Sequence, residues 1–199
     1  MNNSTDFLKN QDYNLKDRSS EDSLDINGIF NKLNLKGNEN FLDAGCGDGH
    51  AAIEALKYLK NGTVYALDIY ELAIDNLKKF KEKENIDNLI PILADITDKI
   101  DLDNETLDII LMINVFHEFK AVKRLNESVE ELKRILKPSG KIAIMDFKKE
   151  DIKQGPPYEI LSSPEELEKL FKKHGFKHSY LNNEIGEDNS HFFIIFEKL

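Results

Sequence analysis

Phe41-Leu-Asp-Ala-Gly-Cys-Gly-Asp-Gly-His50 decides how this chain is read. A short apolar run ends in an acid, glycines follow at 45, 47 and 49, and a helical pattern opens directly behind them. The stretch is therefore strand, tight loop and helix. The glycines remove the Cβ atoms that would hold a ligand off the backbone, and they permit dihedrals closed to other residues. A helix starting behind such a loop presents unpaired amides and the positive end of its dipole. The loop is a ligand cradle. It is not a phosphate-binding P-loop, because His50-Ala51-Ala52 supplies neither the Lys nor the Ser or Thr that such a loop needs. It also departs from the dinucleotide fingerprint, since position 50 is His and Gly49 comes one place early.

Upstream, residues 1 to about 20 are rich in Asn, Asp, Ser and Lys, too polar to pack alone, and are expected to form a tail or a lid. Leu24, Ile29, Phe30 and Leu33 recur at helical spacing from Ser23 to Leu35. Downstream, Ala51, Ala52, Ala55, Leu56 and Leu59 form one face of a helix ended by Asn61-Gly62, and Thr63 to Asp68 reads as a buried strand. A second helix carries Ala73, Leu77 and Phe80 and runs to about Asn85. Leu89 to Asp95 is expected as a third strand whose first half is broken by Pro91, followed by a loop or poor short helix over Asp98 to Glu105. Leu107 to Ile113 is a nearly all-apolar strand of the kind covered on both faces.

Leu125, Val129, Leu132 and Leu136 mark a third helix, and Lys137-Pro-Ser-Gly140 turns the chain into a strand from Lys141 to Phe147. Lys148 to Leu161 has no period and reads as an excursion. Ser163-Pro164-Glu165-Glu166 supplies N-cap, first-turn proline and capping-box glutamate for a last helix closed by Gly175. Phe176 to Asn182 and His191 to Glu197 then pair as an antiparallel hairpin. Strands alternating with helices imply an α/β, doubly wound and mostly parallel sheet, with helices on both faces.

A chain of 199 residues, 40% of them hydrophobic, suits one domain at 23–199 behind a tail at 1–22. No apolar run is long enough to cross a bilayer, and no signal-peptide pattern opens the chain. The single Cys46 can form neither an internal disulfide nor a cysteine-based zinc site, and a cytoplasmic home is expected. A formal charge of −10 repels polyanions, so no nucleic-acid partner is expected. The oligomer is left open between monomer and homodimer. His174 and His178 are separated by Gly175, which breaks the helix between them, so no metal site is expected there.

Ligands in open α/β sheets bind at the carboxyl ends of the strands, and here those ends are polar: Asp43, Asp68, Asp95 and Asn114. With the string Leu42 to Gly49, this arrangement resembles the class I S-adenosylmethionine-dependent methyltransferases, and Leu132 to Lys141 adds a similarity to the ubiquinone and menaquinone C-methyltransferase type. The resemblance covers nearly everything after residue 22 and implies a seven-stranded sheet with an antiparallel last strand. It implies S-adenosylmethionine as cofactor, with Gly45, Cys46, Gly47 and Gly49 lining its methionine part. Asp68 would accept the ribose hydroxyls and Ile69 would pack on the adenine. Asp95 and Ile96 would lie at the adenine amino edge, and Asn114 near the ammonium group. Asp43, grouped with them, is expected to order the loop.

On the acceptor side the resemblance singles out His117, which either serves as a base or orders the next helix, with Asp146 at the end of the fifth strand and Tyr158 in the excursion. The implied activity is methyl transfer to a small molecule. Methylation of a protein and a non-catalytic cofactor-binding module are the alternatives, while a nicotinamide-dependent oxidoreductase is weakened by the missing glycine at position 50. The single cysteine argues against the arsenic-methylating branch of the same fold.

Overall fold

The computed structural model describes residues 26–150, 155–186 and 189–199. The expected tail or lid lies outside the described residues, as do Ser23 and Leu24 of the first expected helix.

Each apolar run found in the sequence becomes a strand of one sheet. The strands are β1 (Asn40–Ala44), β2 (Thr63–Asp68), β3 (Leu89–Leu93), β4 (Leu107–Ile113), β5 (Leu136–Phe147), β6 (Phe176–Ile185) and β7 (His191–Lys198). They form a seven-stranded sheet in the order β3-β2-β1-β4-β5-β7-β6. β1 to β5 are parallel, and β7 inserts antiparallel between β5 and β6. Strand order reverses between β1 and β4, so the glycine loop after β1 stands at the switch point where an open α/β sheet leaves a crevice.

The helices are α1 (Ile26–Leu33), α2 (His50–Tyr58), α3 (Glu71–Glu84), α4 (Phe116–Ala121), α5 (Leu125–Ile135) and α6 (Pro164–Lys173), with a short 3-10 turn at Tyr158–Ile160. Side chains alternate across a strand. Along β5, Ile142 and Ile144 therefore enter the core under α4, α5 and α6, while Ala143 and Met145 enter the core under α1, α2 and α3. No helix among the described residues is long and apolar enough to cross a membrane.

Local chemistry sets most boundaries. Ser163 caps α6 through its hydroxyl while Glu166 reaches back to the Ser163 amide, completing the expected capping box. Three details differ from the sequence expectation. β3 is not broken at Pro91: it is the edge strand, where a missing donor can face away from the ladder. Lys137 to Gly140 is not a separate turn but part of β5, and a register shift between Leu107 and Ile109 on β4 absorbs it. A short helix, α4, follows Asn114 where no separate helix was expected, because its six residues are too few to display a period.

The α6 side of the core rests on Phe171. Its ring stacks on Phe196 at 4.2 Å and 5°, and it also meets Phe116 and Phe176 at 5.8 and 5.4 Å. Phe171→Ala is expected to cost about 3–5 kcal/mol of unfolding free energy, measured by denaturant titration. A loss below about 1 kcal/mol would mean that the aromatic stack is not what anchors α6.

Candidate active site

The glycine loop is held by carboxylates from two strand ends. Asp43, 2% exposed, accepts the Ala52 amide at 2.9 Å and so ties β1 to the first turn of α2. Asp68 accepts the Gly47 amide at 2.8 Å through Oδ2 and the Tyr70 amide at 3.0 Å through Oδ1. The Gly45 and Cys46 amides both donate to the Leu67 carbonyl, at 2.7 and 2.9 Å. Gly45 and Gly49 have φ of +78° and +85°, and a Cβ on either would lie 2.4 Å from a methyl of Val115 or Leu77. These two glycines therefore serve loop packing as well as ligand approach. Cys46 faces the core under α1, and burial, then Asp43 and Asp68, push its thiol well above its usual range.

Negative charge is concentrated here. Burial raises the Asp43 carboxyl to about 7; the Ala52 amide opposes this, and the Asp68 and Asp48 charges add to it.

The remaining strand ends divide. Asp95 turns its Oδ1 back on its own loop, accepting the Thr97 amide and hydroxyl at 2.8 and 2.7 Å. Ile96 is buried in the core under α5, and Ile69 is half-buried and part of neither core cluster. Asn114 adopts φ of +56° and donates its amide to the Met145 carbonyl at 2.8 Å. Its side-chain Oδ1 is buried without a hydrogen-bond partner among the described residues. A buried acceptor lacking its donor costs about 1–3 kcal/mol, a cost relieved when a ligand supplies the donor. That acceptor, the Asp43 and Asp68 carboxylates and the glycine loop fit a ligand that brings cationic and hydroxyl donors.

Over β4 and β5 stands a second constellation. Asp146 accepts the His117 amide at 2.9 Å and pairs with His117 Nδ1 at 2.8 Å, and its Oδ1 also accepts the Phe147 amide at 2.8 Å. His117 Nε2 lies 3.6 Å from Glu118 Oε1. Burial works to lower the His117 proton affinity, but the carboxylates of Asp146 and Glu118 outweigh it and raise the group to about 9. His117 is thus an imidazolium at neutral pH and already holds the proton that a base would need to accept.

Tyr158 stands apart on the 3-10 turn. It is 51% exposed, with Lys149 Nζ 5.5 Å from its ring centre. The group that sequence reasoning missed is His191, whose ring centre lies 4.2 Å from that of Phe147, while the His117 ring lies 6.3 Å from the same one. Nothing local in the sequence marks it; the signal is its place at the start of an antiparallel strand, which brings it to the carboxyl-end edge.

A family model described as a methyltransferase domain matches residues 35–187. The chain belongs to this methyltransferase family. A methyltransferase from Aquifex aeolicus, described as S-adenosylmethionine-dependent, superposes with a TM-score of 0.79 at 26% identity, covering 100% of both chains. A type 11 methyltransferase candidate from Sulfolobus solfataricus gives 0.63 at 28% identity, over 86% of this chain and 89% of that one. A sterol 4-C-methyltransferase of Caenorhabditis elegans is 29% identical over 60% of this chain. The match to this chain spans 34% of the worm protein's length and 30% of that of a second curated relative, from Methanosarcina mazei.

The His117–Asp146 pair makes stability depend on pH. The folded group, raised from 6.5 to about 9, binds more protons than the unfolded one between those values. Its stabilisation is full below pH 6.5 and is lost as pH rises through 9, on the order of 3 kcal/mol. Asp43 acts in the same direction at lower pH, between 3.8 and about 7. The unfolding free energy is expected to fall from pH 6.5 to 9 in the wild type and much less in His117→Gln. Parallel profiles for the two proteins would contradict the pairing.

Proposed function

We propose that this methyltransferase domain transfers a methyl group from S-adenosylmethionine to a small-molecule acceptor by in-line displacement. The observation that carries this is the acid-lined glycine loop at the switch point, with Asn114 Oδ1, buried without a partner among the described residues, at the end of the adjacent strand β4. Bound there, the cofactor would supply an electrophilic methyl group on a positively charged sulfur.

Gly45, Cys46, Gly47 and Gly49 would line its methionine part, and Asn114 Oδ1 would take a hydrogen bond from the ammonium group. Asp68 already accepts two backbone amides. A carboxylate has about four acceptor sites, and the Asp68 carboxylate would also accept the ribose hydroxyls. Ile69 offers an apolar surface to the adenine, with Asp95 and Ile96 at the amino edge. Asp43 acts at one remove, fixing α2 beneath the loop.

On the acceptor side the chain's task is alignment and exclusion of water, which in-line transfer needs more than it needs bond-making groups. His117 and Asp146, locked together, form a fixed charged wall over β4 and β5, while the exposed Tyr158 would reach the acceptor only from outside. A single, buried cysteine fits a cytoplasmic setting.

Transfer of label from methyl-labelled S-adenosylmethionine into the small-molecule fraction of a cell extract tests the function. Label in small molecules is the expected result; label confined to protein, or none, would overturn it. Asp68→Ala is expected to weaken cofactor binding at least tenfold in a folded protein, since hydrogen bonds to a charged group contribute about 1.5–3 kcal/mol each. Unchanged affinity by calorimetry would remove Asp68 from the site.

A further inference from the structure

His191 enters neither the glycine loop nor the locked pair, yet it stands at the same carboxyl-end edge of the sheet. β7 runs antiparallel to β5, so its first residue stands opposite Phe147 at the edge where β4 and β5 end. The ring is 7% exposed, with Nδ1 2.8 Å from Ser190 Oγ. Its Nε2 is buried without a hydrogen-bond partner among the described residues. Gly186 keeps that contact clear from across the hairpin: its φ is +86°, and a Cβ there would lie 3.1 Å from Ser190 Oγ and 3.2 Å from His191 Nδ1. An open pocket of about 440 Å³ lies between α1 and the β6–β7 hairpin; Lys32, Glu184, Ile185, Gly186 and Phe193 line it and His191 does not, Gly186 being the residue that touches both.

We propose that His191 is a catalytic residue of the methyl transfer inferred above, its Nε2 taking the proton that the acceptor loses. In His117 the two carboxylates beside the ring favour the form that already carries the proton. Its Nδ1 pairs with Asp146 at 2.8 Å and its Nε2 lies 3.6 Å from Glu118 Oε1. His191 has one nitrogen tied to a hydroxyl and the other without a partner, which is how a neutral imidazole with an open lone pair is held.

Burial lowers its proton affinity, Asp146 on β5 raises it and the His117 charge on α4 lowers it, with a net lowering. Ile185 at the end of β6 stands opposite His191 and Gly186 just beyond it lies against the ring; neither carries charge, and the β6 charge nearest them is Glu184 on the pocket wall. In the step itself, a lone pair on the acceptor's oxygen or nitrogen forms the bond to the methyl carbon, and the O–H or N–H proton passes to Nε2 while its bonding pair stays on that atom. The carbon–sulfur pair remains on sulfur as a neutral thioether. His191 then returns the proton to water. His117, fixed by Asp146, is a positioning residue that keeps the neighbouring charge constant.

Histidine nitrogen NMR on the full chain, bound to S-adenosylhomocysteine, tests the protonation states without any acceptor. A neutral His191 at pH 7 beside a protonated His117 is expected; a protonated His191 at that pH overturns the proposal. Label transfer into the small-molecule fraction is then compared for the wild type, His191→Gln and His191→Asn. Gln places an amide near the Nε2 position and Asn near Nδ1, and neither can take a proton. Both are expected to lose about a hundredfold or more in kcat and the dependence of rate on pH, with cofactor affinity kept. A folded His191→Gln with wild-type rates at every pH overturns the proposal alone. A wild type that binds the cofactor and transfers nothing overturns the methyl-transfer function and this proposal together.

Discussion

One interaction recurs through the site and the rest depends on it: a carboxylate at the end of a parallel strand accepts backbone amides from the chain beyond. Asp43 holds Ala52, Asp68 holds Gly47 and Tyr70, Asp95 holds Thr97, and Asp146 holds His117 and Phe147. Strands must stop and their following amides must be paired. Here acids meet that need at one edge of the sheet, so the requirement that shapes the loops also collects negative charge in one crevice. The glycine loop is the clearest product: without the Asp68 and Leu67 acceptors, its amides at 45, 46 and 47 would have no common anchor.

The charge has a consequence for selectivity. A helix N-terminus behind a glycine loop ordinarily suits phosphate. With Asp43, Asp48 and Asp68 acting together on the same small volume, a pyrophosphate would meet repulsion instead. A ligand carrying a sulfonium and an ammonium gains from the field that a dinucleotide would oppose. The second constellation uses the same device differently. Asp146 spends its carboxylate on both the backbone and the ring of His117, producing a rigid cation at the edge of the crevice rather than a group free to exchange protons.

Much of this was legible in the sequence where a local rule decides it. The strand–loop–helix at 41–50, the capping box at 163–166 and the apolar strands at 107–113 and 141–147 each carry their pattern within a few residues, and the comparison family and sheet order agree with the fold those patterns imply. What escaped depends on contacts between distant residues. Pro91 is tolerated because β3 is at the edge, which composition cannot reveal. His191 looks like an ordinary strand residue until β7 is seen to run antiparallel and deliver it beside Phe147. The locking of His117 needs Asp146, 29 residues away, to close on its amide and ring at once. Gly45 and Gly49 were read as room for a ligand, while their closest would-be contacts are Val115 and Leu77, which the sequence does not place.

The central claim is that the acid-lined glycine loop is a site for S-adenosylmethionine, and titration calorimetry of the full chain tests it most directly. Saturable binding of S-adenosylmethionine and S-adenosylhomocysteine at one site, with no heat from nicotinamide dinucleotides, is the predicted result. Binding of a nicotinamide dinucleotide with neither adenosyl compound competing would contradict it.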